Sequence, residues 1–262
     1  MGELARDLAE ALDPVLWAER VTGHMLDPWQ AELLRGDCRR VLLNVCRQGG
    51  KSTTAGALGL YVAQHEPGAL VLLLSPSQRQ SGELLRTVAG LYGADDSAVQ
   101  ADAQSVLRLE LANGSRIISL PGKEATVRGF AGVRLIVIDE AARVSDDLYY
   151  SVRPMLAVSG GGLVAMSTPF GKRGWWHKEW TEGQGWQRIQ VTAEQCPRIS
   201  PAFLAEERAT IGAWWFAQEY MCQFGETSDQ VFSYELVAAA LRDDIKPLEA
   251  AKHLTTARES EV

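Results

Sequence analysis

The sequence has little cysteine, no long apolar run and no excess of positive charge. Each absence narrows what it can be. The four cysteines, Cys38, Cys46, Cys196 and Cys222, form no CxxC pair and no zinc-site or disulfide-framework spacing. They read as reduced, mostly buried thiols. No stretch of about 18 uncharged apolar residues occurs, which excludes a transmembrane helix, and no membrane partner is expected. The N-terminus, Met1-Gly2-Glu3-Leu4-Ala5-Arg6-Asp7, lacks the basic segment and apolar run of a secretory signal, so a cytoplasmic context is expected. Internal repeats and low-complexity tracts are absent too. With 26 Lys+Arg against 33 Asp+Glu the net charge is −7. A chain that holds nucleic acid by bulk charge would be basic, so any contact with DNA needs a local basic patch.

What is present is an ordinary globular composition. Hydrophobic residues make up 46% and charged residues 23% of 262. That suffices for one large α/β domain or two small ones. Leu4, Leu8 and Leu12 fall at helical spacing, and Pro14 splits this segment from a second short helix through Val21. Asp27-Pro28-Trp29-Gln30 opens another helical run. Strands are predicted at 40–45, 69–74, 135–138 and 162–166, and helices at 51–65, 81–91 and 147–156. The runs 106–111 and 117–120 flank Asn113-Gly114, a hairpin signal because both residues tolerate positive φ. Short, wholly apolar strands separated by helices imply a parallel sheet covered on both faces. Ligands of such sheets sit at the carboxyl ends of the strands.

The unusual residues cluster at those ends. After the first strand comes Cys46-Arg47-Gln48-Gly49-Gly50-Lys51-Ser52-Thr53. Gly50-Lys51-Ser52 is the second half of a P-loop. Gly50 lets backbone N–H groups approach phosphate oxygens, Lys51 reaches the β- and γ-phosphates, and Ser52 offers a hydroxyl to Mg²⁺. The helix that follows points its positive end at the anion. One position departs from the pattern: Val45 stands where the first glycine belongs. The plainer reading is a glycine-rich turn with an incidental lysine, but strand, loop and helix follow each other as the mechanism requires. Leu135-Ile136-Val137-Ile138 ends in Asp139-Glu140. A strand-end carboxylate, Asp139, suits Mg²⁺, and the next, Glu140, can orient and deprotonate an attacking water. Without the loop, the better reading would be two acids that end a strand.

Three weaker features surround this pair. Gln30 is able to donate to and accept from an adenine edge with Trp29 packed on the base. The alternative is a helix-start turn with a buried Trp. Ser167-Thr168-Pro169 is placed to sense the γ-phosphate, or is a strand-end turn set by Pro169. Arg128, in the glycine-rich Val127-Arg128-Gly129 loop, suits an arginine finger, with Arg134 and Arg143 as rivals and a solvated surface Arg as the plainer reading. Arg47 is placed to contact phosphate or reset the loop.

Together these residues resemble the ATPase domain of the large terminase subunit of tailed phages. The resemblance rests on Asp27-Pro28-Trp29-Gln30, the variant loop Cys46 to Ser52, Val127-Arg128-Gly129, the run Leu135 to Ala141, and Ser167-Thr168-Pro169. It extends to Phe216-Ala217-Gln218-Glu219-Tyr220 and Phe224, covering roughly 26–234. It implies an α/β, RecA-like ASCE P-loop fold, with a mainly parallel sheet flanked by helices and a small helical subdomain. The expected divisions are an ATPase core at 1–198, a helical lid at 199–234 and a tail at 235–262. By resemblance, ATP is held by Trp29, Gln30, Arg47, Gln48, Gly49, Gly50, Lys51, Ser52, Thr53 and Thr168. Ser52 and Asp139 serve Mg²⁺, Lys51 and Glu140 are catalytic, and Arg128 acts in trans on a neighbour's ATP.

The implied partners are double-stranded DNA, the phage portal protein, a small terminase subunit and further copies of the chain in a ring, in the host cytoplasm. The resemblance leaves room for a monomeric isolated domain. The family continues into a nuclease, whereas the tail from Asp243-Asp244 is charged and poor in apolar residues, so no nuclease activity is expected. Candidate DNA contacts are Arg79, Arg86, Lys123, Lys172 and Arg173. The aromatic run Trp175-Trp176-His177-Lys178-Glu179-Trp180 either stacks on bases or packs under the sheet edge, the second being the better bet. Two other readings compete. A superfamily 2 helicase-like translocase needs a second set of strands, and none is predicted after residue 185. A nucleotide-switched scaffold without turnover has no need of Glu140.

Overall fold

The apolar strands alternate between two cores, as their both-sided hydrophobicity requires. The computed structural model describes residues 3–121, 129–226 and 234–240. Its contacts divide the chain into two units, Met1–Gly225 and Glu226–Val262. In the first unit, helices α1 (Glu3–Leu12), α2 (Pro14–Thr22) and α3 (Pro28–Arg35) lead into β1 (Arg40–Val45). Then follow α4 (Lys51–His65), β2 (Leu70–Ser75), α5 (Gln78–Ala94), β3 (Ala101–Ser105), β4 (Arg108–Leu111) and β5 (Arg116–Pro121). The chain continues through β6 (Leu135–Asp139), α6 (Asp146–Val152), β7 (Gly162–Ser167), α7 (Gly174–Thr181), β8 (Gln187–Val191) and α8 (Pro201–Glu219). In the second unit, Tyr234–Ala240 is helical, α9.

All eight strands form one sheet in the order β3-β4-β5-β2-β6-β7-β1-β8. The six from β5 to β8 run parallel, and β3 and β4 add an antiparallel edge. Leu43, Val71, Val137 and Val164 face a core built with α2, α3, α4, α5 and α8. Leu42, Leu72, Ile136 and Ala165 face a second core with α6 and α7. Small residues let α4 lie close to its neighbours: a Cβ on Gly59 would already touch Val71, and one on Gly56 would touch Val88.

The predicted helices and buried strands are found within a few residues of their expected ends, and the Asn113-Gly114 turn joins β4 to β5. Two strands escaped the sequence reading. In β8 only Ile189 and Val191 face the core, so Gln187-Arg188-Ile189-Gln190-Val191 alternates like an edge strand rather than running apolar. It extends the same sheet beside β1 and founds no second one. Strand β3 is nearly all exposed and carries no apolar pattern. The four cysteines are free thiols, all buried. Trp175 and Trp176 are fully buried in the second core, with Trp175 stacked on Tyr149 at 4.0 Å between ring centroids, so these two pack under the sheet and are closed to bases. Among the described residues no helix is long and apolar enough to cross a membrane.

A charge cluster fastens the first two helices to the body. Arg20 grips Glu10 with paired bonds of 2.8 Å and meets Asp95 at 2.9 Å. Burial alone would raise the Asp95 carboxyl. Hydrogen bonds from Arg20, Trp17, Gln64 and Ser97 outweigh it and hold the group at about 2. Its charged form is therefore favoured by folding, and that stability is complete above about pH 4 and lost as pH falls toward 2. Urea midpoints measured from pH 6 to pH 2 should fall steeply through this window, and Asp95→Asn should flatten that part of the fall. An unchanged acid slope in the variant would contradict the assignment.

Candidate functional site

Parallel strands place their carboxyl ends together, so β1, β7 and β6 deliver their last residues to one edge of the sheet. Strand β7 lies between the other two, pairing Asn44 with Ser167 and Met166 with Asp139. Thr168 therefore stands between the loop after β1 and the two acids, and it is buried.

The loop between β1 and α4 turns tightly on two left-handed residues, Gln48 at φ 60° and Gly50 at φ 91°. Alternation of this kind makes a concave row of N–H groups that suits an anion. The departure at Val45 has a local consequence. A Cβ on Gly49 would lie 2.6 Å from Val45 Cγ1, so the valine fills the space over the loop and leaves room only for glycine. Arg198, which the sequence reading did not single out, braces the loop from outside. It donates to both Asp27 carboxylate oxygens, at 3.0 and 2.7 Å, and to the Gly49 carbonyl at 3.2 Å. A partner 171 positions away leaves no local signal.

Lys51 opens α4 and is buried. Its Nζ stands 3.9 Å from Glu140 Oε1. Burial pushes the Asp139 carboxyl up to about 6, against the pull of Lys51, and the neighbouring Glu140 charge adds to the rise. Asp139 Oδ1 accepts from the Glu140 N–H at 2.9 Å. Glu140 itself sits at φ 50°, an unfavourable backbone for a side-chain-bearing residue, and a short turn at Ala141–Arg143 follows. That turn folds Arg143 back to donate to Glu140 Oε2 at 2.7 Å. The second acid is thus held between a lysine and an arginine.

The other expected residues divide. Gln30 lies beside the loop, but its amide is spent inside the protein. Its Oε1 accepts from the Asp27 N–H at 2.8 Å and its Nε2 donates to Thr54 Oγ1 at 2.7 Å. That is the helix-start arrangement, and an adenine contact by Gln30 would first have to break it. Trp29, also buried, lines a cavity of about 410 Å³ with Asp27, Pro28, Gln190 and Pro197. Arg134 is bonded to Glu66, beyond the far end of α4 and one strand length from the loop, so it stands away from this site. Arg143 is within it. Arg128 and Lys123 lie outside the described residues. Of the candidate DNA contacts, Arg79 and Arg173 are exposed, Arg173 over the Phe170 ring, and Arg86 is paired with Glu83. Phe216-Ala217-Gln218-Glu219 closes α8, and the buried Glu219 reaches the site from there.

Known proteins resemble this chain in sequence and in fold. Residues 42–239 match the family described as "Terminase large subunit, T4likevirus-type, N-terminal". The terminase large subunit of Escherichia phage T5 is 28% identical over 225 residues, covering 82% of this chain and 50% of that protein. The chain thus spans about half the length of this relative. Its fold is similar to the large terminase ATPase domain of Thermus phage P74-26, with TM-score 0.67 and 20% identity over 79% of this chain and 97% of that one. The large terminase of bacteriophage HK97 gives 0.66 at 14% identity, over 82% and 55%. A large terminase from a thermophilic bacteriophage, solved in complex with ADP, gives 0.64 at 10% identity, over 76% and 54%.

The raised Asp139 carboxyl carries a cost to folding. Between about pH 4 and 6 the folded chain keeps a proton that the unfolded chain releases, so stability falls as pH rises through that range. Asp139→Asn should therefore be more stable than wild type at pH 7.5, by about 1–3 kcal/mol without added metal or nucleotide. Near pH 4 the two should converge. Equal urea midpoints at both pH values would refute this.

Proposed function

The chain belongs to the T4likevirus-type terminase large-subunit N-terminal family, and from that premise we propose that it hydrolyses ATP to drive viral double-stranded DNA into a procapsid. One observation carries the reading: Lys51, Asp139, Glu140 and Thr168 meet at the carboxyl ends of three adjacent parallel strands. The triphosphate takes the loop's N–H groups, and Lys51 turns from Glu140 to the β- and γ-phosphates. The base has room in the cavity beside Trp29. Glu140, once released by Lys51, orients water for in-line attack on the γ-phosphorus and accepts its proton.

The donor set fits Mg²⁺. Asp139 is a carboxylate whose value burial raises, so a cation beside it would favour its charged form, and Ser52 adds a hydroxyl oxygen. Mg²⁺ at a phosphate site takes one or two protein oxygens, the phosphates and water, so no larger cluster of ligands is needed. When bound, it neutralises charge on the β- and γ-phosphate oxygens. Thr168 follows the strand between the loop and the acids, which supports its role in passing the loss of the γ-phosphate to neighbouring elements.

The partners follow from the family rather than from this geometry. They are the portal protein, a small terminase subunit and further copies of the chain in a ring, all within the host cytoplasm. Arg128 remains the proposed finger for a neighbour's ATP. Arg79 and Arg173 are the proposed grips on the DNA backbone, since a ring needs only a few charges per subunit.

Phosphate release from ATP and Mg²⁺ tests the reading. Glu140→Gln should lower kcat by about a hundredfold or more while still binding nucleotide. Lys51→Ala should lose binding as well. Turnover equal to wild type in both variants would refute the assignment. For the finger, Arg128→Ala mixed with Glu140→Ala should recover part of the activity once assembled on the portal, and no recovery there would count against action in trans.

A further inference from the structure

Two of the four buried thiols face each other. Cys46 is the first residue after β1, and Cys196 lies in the connection between β8 and α8. Their Sγ atoms stand 3.6 Å apart, although 150 positions separate them in sequence. The other two thiols are engaged with main chain. Cys38 donates to the Leu33 carbonyl and Cys222 to the Val191 carbonyl, each at 3.2 Å. Burial pushes both up, to about 11 and about 12, which leaves them unreactive. Cys196 is set apart from these. Its hydrogen bond with Cys46 lowers the thiol against the effect of burial, and the Arg198 guanidinium adds to the fall. Gln195 and Pro197, on either side of Cys196, line the cavity of about 410 Å³ beside Trp29. A small oxidant in that cavity comes within one residue of the sulfur.

Both sulfurs are tied to the loop after β1 at Gly49. The Gly49 N–H donates to the Cys46 carbonyl at 3.2 Å, and a Cβ on Gly49 would lie 3.2 Å from Cys46 Sγ, so the loop rests on this sulfur. From the other side Arg198, two residues beyond Cys196, donates to the Gly49 carbonyl at 3.2 Å. Bonded sulfurs stand about 2.05 Å apart, so joining these two draws them together by about 1.5 Å. The movement acts on the floor of the loop and on its outer brace at once. Backbone N–H groups there must keep their aim at an anion.

We propose that Cys46 and Cys196 are an oxidative modification site, a thiol pair that a hydroperoxide converts to a disulfide, and that this bond reversibly disables the loop for nucleotide. The second half rests on the nucleotide reading above. The chemistry takes two steps. The Cys196 sulfur attacks a peroxide oxygen, the O–O bond breaks, and the leaving oxygen departs as water with the thiol proton, giving a sulfenic acid. The Cys46 sulfur then attacks the Cys196 sulfur, the S–O bond breaks, and a second water leaves with the Cys46 proton. One hydrogen peroxide is reduced to two waters while two thiols are oxidised to one disulfide.

The full chain treated with hydrogen peroxide tests both halves. Its intact mass should fall by two hydrogen atoms, and a non-reducing peptide map should join Cys46 to Cys196. The oxidised chain should bind ATPγS with Mg²⁺ about ten- to a hundredfold more weakly, because the loop is displaced by about an ångström. Dithiothreitol should restore the affinity. Cys196→Ala should gain no cross-link and keep its affinity through the same treatment, whereas Cys222→Ala should respond as wild type does. A map with no Cys46–Cys196 link, or with either residue joined to Cys222 instead, would overturn the proposal and leave the nucleotide reading standing. So would a Cys46–Cys196 disulfide that leaves the affinity unchanged. If the reduced wild-type chain does not bind ATPγS at all, the nucleotide reading fails and the proposal with it.

Discussion

The site is organised around a buried carboxylate, Asp139, whose burial the nearby Lys51 does not offset. Around it, Glu140 and Glu219 pair with Lys51, Arg143 and a largely exposed Arg47. Asp139 and Glu219 are both buried, and the raised value of Asp139 shows that Lys51 alone does not offset its burial. A site in this condition favours a cation, and a nucleotide arrives with one. On the proposed reading, the same nucleotide brings phosphates that draw Lys51 away from Glu140, so binding changes the pairing of charges already present.

The sheet gives these charges a firm frame. The central strands are buried on both faces, between one core under α4 and α5 and another under α6 and α7. Their register holds the last residues of β1, β7 and β6 level, so small movements of side chains at that edge are not absorbed by the backbone below. The left-handed backbone lies outside the frame, at Glu140, at Gln48 and Gly50 in the loop after β1, and at Gly212 in α8. Local strain next to a rigid sheet is a common physical arrangement for a site that must change state.

The first two helices are held differently. Their attachment depends on Arg20 and a cluster of acids as well as on apolar burial, and the stripe Leu4, Leu8 and Leu12 stays exposed while Glu10 is buried. Helical spacing found the helix but not the face that packs, because a buried, fully paired acid outranked the leucines. Gln30 shows a similar reversal: an amide suited to a base edge is engaged by Asp27 and Thr54. The same two side-chain ends that recognise a ligand also serve a helix start, and only the neighbours decide between them.

By itself the sequence determined the strand and helix order of the parallel core, the glycine-rich loop between β1 and α4 and the pair of acids at the end of β6. Each is written in adjacent residues: apolar runs, glycine where φ must be positive, lysine and serine at the start of a helix, carboxylates at a strand end. It did not reveal β3 and β8, whose edge positions need little apolar residue, nor the brace from Arg198 to Asp27 and Gly49. It also did not show which acid each arginine meets. Charges act through space and not along the chain, so Arg134 and Arg143, equal candidates in sequence, end at opposite ends of the sheet with Glu66 and Glu140. Only the tertiary structure decided that, and with it where Glu219 stands.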